Sequence, residues 1–250
     1  MIYNFDNLKG NPFINDNVFD NVSVTLGKND TMLSDSSRIH HYFEVGADAL
    51  SVINKILQYL NIPKEQIGSI LDFPCGKGRV LRFIKAQWPD AEIYGSDIAE
   101  RFTVFCKKEF NVKTFVSNKE FKDFELSKEF DLIWVGSLIT HLPENLGLKL
   151  MTFLSKKLSK GGVLIISNHW LNSFLLYKNR FSDDEKLSIM GALDTNKYSF
   201  TPYKNTPDYG MSFISPEWYI KNISKWDFKF MNYTEGLWDN NQDIICLKKK

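Results

Sequence analysis

Only three cysteines, Cys75, Cys106 and Cys246, occur in 250 residues, and they stand far apart. That spacing excludes a disulfide framework and the paired-ligand patterns of metal sites, so no metal is expected. No run of 18 apolar residues occurs, and the opening MIYNFDNLKGNPF has no apolar core of the signal-peptide kind. A soluble, cytoplasmic protein with no membrane partner is expected. There is also no excess of charge: 31 basic and 30 acidic residues leave a net +1. Bulk electrostatics therefore argue against nucleic acid and acidic membranes as partners. No internal repeat is present, and nothing in the pattern signals an oligomeric state.

What the chain does have is apolar material, 43% of its residues, enough for one large domain. Residues 1 to 42 are polar with scattered aromatics and are read as an N-terminal arm. From residue 43, Val45, Leu50, Ile53, Ile56, Leu57 and Leu60 recur at helical spacing until Asn61-Ile62-Pro63. Five short apolar runs then alternate with helix-like segments. The runs are Ile67–Phe73, AEIYGSD, VKTFV, FDLIWVG and VLIISN. This alternation predicts an α/β fold, a doubly wound, mostly parallel sheet with helices on both faces. Lys160-Gly161-Gly162 reads as a turn before the fifth strand. Later, Ser215 and Pro216 open a helix as N-cap and first helical residue. FKFMNYTE and QDIICLKK follow with no helix between them, so they must pair antiparallel.

The stretch SILDFPCGKGRVLRF, residues 69–83, joins the first strand to a helix through a glycine-bearing turn. In a doubly wound sheet such a turn lies at the ligand edge. A phosphate-binding P-loop needs four residues between its glycines and a following Ser or Thr, and Arg79 stands after Gly78 instead. A dinucleotide fingerprint needs a third glycine that is missing here, and Asp72 would face a pyrophosphate unfavourably. A nucleoside cofactor without phosphates, carrying an amino or sulfonium cation, suits an acidic residue ahead of the turn.

These residues resemble motif I of the class I S-adenosylmethionine-dependent methyltransferases. IYGSDIAERF is similar to motif II of that family, FDLIWVGSLITHLPE to motif IV, and LSKKLSKGGVLIIS to its fifth-strand region. The resemblance covers about residues 40–170, and 215–248 more loosely. It implies a seven-stranded sheet of order 3-2-1-4-5-7-6 and S-adenosylmethionine as cofactor, with S-adenosylhomocysteine as product. It implies that Asp72 accepts from the cofactor's amino group, and that Gly76 and Gly78, after Pro74, let its methionine part approach the backbone. Asp97 would take the ribose hydroxyls, Ile98 would pack on adenine, Asn118 would meet the adenine edge, and Gly136 and Ser137 would line the methionyl side. Pro74 departs from the glycine that many members carry. A helix cap is the competing reading for Asp97 and for Ser137, and a plain turn for the two glycines.

His169, after the fifth strand, is the first candidate for a catalytic base, and His141, after Ser137, the second. His40 and His41 are read as surface residues near the cofactor edge. The segment 170–215 is longer than an ordinary connection, carries nine aromatic residues and contains SDDE, a capping box. It is expected to be a structured insertion forming a substrate lid over a small-molecule or glycan acceptor, with a satellite core as the competing use of its aromatics. WDNNQD, residues 238–243, is expected above the site, offering a stacking aromatic and amides to a sugar-like substrate. An NAD(P)-dependent oxidoreductase and a non-catalytic cofactor-binding module are the alternative functions.

Overall fold

The computed structural model describes residues 3–33, 35–122 and 126–250. Residues 1, 2 and 34 of the expected arm lie outside them. Among the described residues no helix is long and apolar enough to cross a membrane.

The chain forms two compact units, Met1–Asn118 and Lys119–Lys250. In the first, helix α1 (Ile39–Tyr59) is followed by β1 (Ser69–Asp72), α2 (Leu81–Gln87), β2 (Glu92–Asp97), α3 (Glu100–Phe110) and β3 (Lys113–Val116). α1 begins before His40 and His41, so both lie in its first turn, where His40 pairs with Glu44 at 2.8 Å. The sequence pattern reads as a helix from Gly78 to Trp88; α2 begins later, at Leu81, because Gly76 and Gly78 take left-handed backbone angles that no helix accommodates. β1 and β3 both pair parallel with β2. The described part of the N-terminal segment is built into this unit. Phe5 lies 5.6 Å from Phe19, 5.3 Å from Phe43 and 6.0 Å from Phe83, ring centre to ring centre, and Ile14, Val18 and Val22 are buried too. Aromatic residues spaced through a polar sequence thus supply a second layer of core against α1 and α2.

The second unit contains β4 (Phe130–Val135), α4 (Glu144–Lys157), β5 (Leu158–Asn168), α5 (Leu171–Tyr177), α6 (Asp183–Asn196), β6 (Tyr198–Tyr203), β7 (Thr206–Ile214), α7 (Pro216–Asn222), β8 (Phe228–Trp238) and β9 (Gln242–Lys249). β4 and β5 run parallel, while β9 pairs antiparallel with both β5 and β8. Five of the six β4 side chains are fully buried, as a run without alternation requires. Each large apolar side chain so buried is worth roughly 1.5–3 kcal/mol. The sheet has seven strands in the order β3-β2-β1-β4-β5-β9-β8, which is the expected doubly wound arrangement with β9 and β8 in the last two places.

One local expectation is corrected. Lys160-Gly161-Gly162 is not a turn between α4 and β5. It lies inside β5, where Gly161 has φ +77° and the register against β4 slips between Phe130 and Leu132. Pairing with β4 overrides the local turn signal and leaves a bulge. Segment 170–215 carries a hairpin of its own, β6 with β7, besides two helices. Its aromatics and aliphatics make the satellite core: Phe174, Ile189, Leu193, Met211 and Phe213, with Trp170, Tyr177 and Phe181 packed on it. The Ser182 capping box and the Ser215 cap with Pro216 form as the sequence indicates.

Candidate active site

In the first unit, β1 delivers Asp72 to the glycine turn almost without exposure, at 1%. Its Oδ2 is buried and has no hydrogen-bond partner. Burial, and next the neighbouring Asp97 carboxylate, raise the Asp72 pKa well above the usual carboxylate range. Asp97 ends β2. Its Oδ2 accepts from the Gly76 amide at 3.1 Å and its Oδ1 from the Ala99 amide at 2.9 Å. Burial raises its pKa, and the backbone donors oppose that shift. One carboxylate therefore fastens the glycine turn to the start of α3, and near it sits a second, engaged by the Leu81 amide and the Arg79 charge but open at Oδ2. Two such acids together favour a positively charged visitor.

The two glycines differ. Gly76 has φ +50°, and a Cβ there would meet nothing within 4 Å. Its backbone is open to close approach. Gly78 has φ +77°, but a Cβ there would fall 2.2 Å from the Phe110 ring. The space freed by this second glycine is filled by α3, so its missing side chain serves packing. Pro74 follows a cis peptide bond after Phe73. Ile98 is more than half exposed beside Asp97, and Asn118 is half-buried just beyond β3.

Two side chains that sequence reasoning did not single out hold this turn. Arg82, from α2, is 1% exposed. It donates to the carbonyls of Gly78 (3.0 Å), Ser23 (2.6 Å) and Thr25 (3.1 Å), and to the Tyr42 hydroxyl (3.3 Å). The rings of Tyr42, Phe43 and Phe110 each lie 5.3 Å from its guanidinium carbon. Lys77, also buried, donates to the carbonyl of Lys28. The available signal was an arginine inside the apolar run VLRFI, where a charge needs compensating partners.

In the second unit the ends of β4 and β5 and the start of β9 meet in a closed set of hydrogen bonds. Ser137, with φ +54°, donates its amide to Ser167 Oγ at 2.7 Å. Ser167 Oγ donates to Gln242 Oε1 at 2.6 Å, and Gln242 Nε2 donates back to Ser137 Oγ at 3.1 Å. Gly136 lies against Trp134 and Trp238. Trp238 was expected to offer its face to a substrate. It is buried instead, edge-on to Trp134 at 5.2 Å, because the apolar inner face of the terminal hairpin claims it.

The structure brings His141 and His169 together, ring centres 6.3 Å apart. His141 Nδ1 faces the Gly210 carbonyl at 2.7 Å, so that nitrogen carries the proton; Tyr203 approaches it at 3.2 Å and Tyr209 stacks on the ring at 5.0 Å. Burial lowers the His141 pKa. His169 is 3% exposed, between Tyr177 at 5.6 Å and Phe213 at 6.0 Å. Burial, then the His141 and Arg180 charges, push its pKa down to about 3. A backbone hydrogen bond with Ser212 engages the ring, and Nδ1 has no partner. A neutral imidazole with a free lone pair accepts a hydrogen bond well and binds a proton weakly.

Residues 71–164 match a family described as a methyltransferase domain. One curated relative, the malonyl-[acyl-carrier protein] O-methyltransferase of Acetivibrio thermocellus, is 32% identical over 85 residues, 32% of this chain and 29% of that protein. The matched stretch thus spans well under half of the relative's length. Among solved structures, CalS10, an amino pentose methyltransferase from Micromonospora echinaspora, superposes with a TM-score of 0.60 at 14% identity, over 87% of this chain and 98% of that one. An S-adenosylmethionine-dependent methyltransferase from Clostridium acetobutylicum gives 0.55 at 13% identity, over 83% and 92%. At such identities the likeness is one of fold.

Proposed function

We propose that this chain, which carries a class I methyltransferase domain, is an enzyme that moves a methyl group from S-adenosylmethionine to a hydroxyl of a small polar acceptor such as a sugar. The observation that carries the reading is the pairing of Asp72, buried and lacking a partner at Oδ2, with an Asp97 that anchors an open Gly76. Asp72 and Asp97 would hold the cofactor's polar groups, Gly76 would admit it to the backbone, and Ile98 would offer an apolar face. Pro74, Gly78, Asn118, Gly136 and Ser137 complete the proposed cofactor set. When bound, the cofactor supplies an activated methyl on a sulfonium.

The acceptor side is assigned to His169 and His141. Orienting two reactants can supply roughly 7–11 kcal/mol of a barrier, against about 3–5 kcal/mol from a general base. With its pKa near 3, His169 contributes through the first effect. Its Nδ1 lone pair orients the acceptor hydroxyl, and His141, fixed by Gly210 and Tyr209, forms the adjoining wall. An oxidoreductase reading lacks the third glycine of a dinucleotide turn.

Titration calorimetry with S-adenosylmethionine, S-adenosylhomocysteine and NAD tests the proposal. Tight binding of the first two and none of NAD is the expected result. NAD binding would sink the assignment, and binding without transfer to any acceptor would leave a cofactor-binding module.

A further inference from the structure

Tyr177, the last residue of α5, organises a set of groups that nothing so far explains. Its ring stands 5.6 Å from the His169 ring. Its hydroxyl accepts from Asn241 Nδ2, in the loop between β8 and β9. The guanidinium of Arg180 lies over the same ring, 4.4 Å from its centre. On either side of this tyrosine stands a buried acceptor atom without a donor, Nδ1 of His169 and Oδ1 of Asn241. Unpartnered buried polar atoms are uncommon and costly. Two lone pairs flanking one aromatic ring call for a ligand that brings O–H or N–H donors to both.

Charge narrows the choice between those donors. Arg180 forms no ion pair with any carboxylate among the described residues, and its guanidinium acts on both His169 and Tyr203. The charges that act on these two residues come from His141, Arg180 and Tyr177, none of them a carboxylate, and Asp243, two positions after Asn241, is already engaged by the amides of Gly236 and Trp170 and by the Tyr233 hydroxyl. An amine-bearing acceptor would need a carboxylate here. An unpaired arginine on an aromatic platform favours an anion, which it can hold through two parallel N–H donors.

We propose that the acceptor is a polyhydroxylated molecule bearing an anionic group, a sugar acid or a sugar phosphate. Arg180 holds the anion, and His169 Nδ1 and Asn241 Oδ1 receive two of its hydroxyls. The proposal rests on the methyltransferase reading and specifies its substrate class. Carboxylate and phosphoryl groups share the recognition chemistry, and the test separates them.

The full chain is titrated calorimetrically with glucuronate, glucose 6-phosphate and the neutral methyl glucoside, and separately with S-adenosylmethionine. At least one anionic probe should bind about tenfold more tightly than methyl glucoside. Whichever anion wins identifies the anionic group. Arg180→Gln, an exposed position whose loss leaves the core intact, should abolish the preference, Arg180→Lys should retain part of it, and Asn241→Ala should weaken all three probes alike. Equal binding of neutral and anionic probes, no binding of any, or a preference that survives Arg180→Gln would overturn the proposal. If S-adenosylmethionine binds while the sugar results fail, only the substrate class falls. If it does not bind, the methyltransferase reading falls first.

Discussion

Replacing His169 by Gln should change how stability depends on pH, and by an amount that follows from the burial of one ring. The His169 pKa falls from an ordinary 6.5 to about 3 in the folded chain. The unfolded chain therefore binds more protons than the folded one between those values. Stability from this group is complete above pH 6.5 and is lost as pH falls toward 3. At about 1.4 kcal/mol per pH unit the full loss is about 5 kcal/mol, of which about 2 kcal/mol has gone by pH 5. Other groups titrate in the same window: burial raises Asp243 to about 6 and lowers His141. Both are present in the two proteins, so their contributions cancel on subtraction, the coupling between His141 and His169 excepted. Urea unfolding at pH 8 and pH 5, followed by tryptophan fluorescence, measures the difference. Five of the six tryptophans (Trp134, Trp170, Trp218, Trp226 and Trp238) lie in the second unit, so the signal reports on the unit that contains His169. Between the two pH values the wild type should lose about 2 kcal/mol more than the His169→Gln variant. Parallel losses, within about 0.5 kcal/mol, would refute the neutral, desolvated imidazole and with it the free Nδ1 acceptor.

Three further outcomes are expected. Asp72→Asn should weaken S-adenosylmethionine binding by about tenfold and S-adenosylhomocysteine binding less, because only the former carries the sulfonium charge. The wild type should bind S-adenosylmethionine better as pH rises through the elevated Asp72 pKa, a trend absent from the variant; equal pH profiles in calorimetry would remove Asp72 from the site. Gly78→Ala meets both a positive φ and the Phe110 ring at 2.2 Å and should cost about 2–5 kcal/mol in thermal or urea unfolding, whereas Gly76→Ala should cost about 1 kcal/mol and act mainly on cofactor affinity. Similar stability losses for the two would contradict the different surroundings described. Arg82→Leu strips donors from the carbonyls of Gly78, Ser23 and Thr25 and should destabilise by about 2–4 kcal/mol, measured by urea unfolding; a loss under about 0.5 kcal/mol would show those carbonyls satisfied by other means.

The parts legible in the sequence were those encoded by neighbours. The β4 run is apolar throughout, so its burial could be read directly. Ser182 with Glu185, and Ser215 with Pro216, are caps written in four residues or fewer. The absence of a helix between β8 and β9 implied their antiparallel pairing. What escaped reading depends on distant partners. Lys160-Gly161-Gly162 carries turn residues but is held in β5 by pairing with β4. The β6–β7 hairpin, with Asn205 at φ +64° between its strands, was obscured by aromatics that suggested a lid. Trp238 looked like a loop aromatic and is core because Trp134 meets it. The bonds of Arg82 to Ser23 and Thr25 span 59 and 57 positions, and no local pattern announces them. In the candidate site, residue identities were readable from the turn and strand ends. The difference between Gly76 and Gly78 was not, since it depends on where Phe110 comes to rest.

The grip of Arg82 and Lys77 on residues 23–28 ties the fate of the glycine turn to the docking of the N-terminal segment. By reciprocity, whatever free energy the docked segment lends to a ligand at Gly76, the ligand must return to the segment. A bound cofactor would then slow proteolysis near residues 23–28, many ångströms of chain away from any residue that names a cofactor motif. Loosening the hold on residues 23–28 would register as lost affinity at the glycine turn.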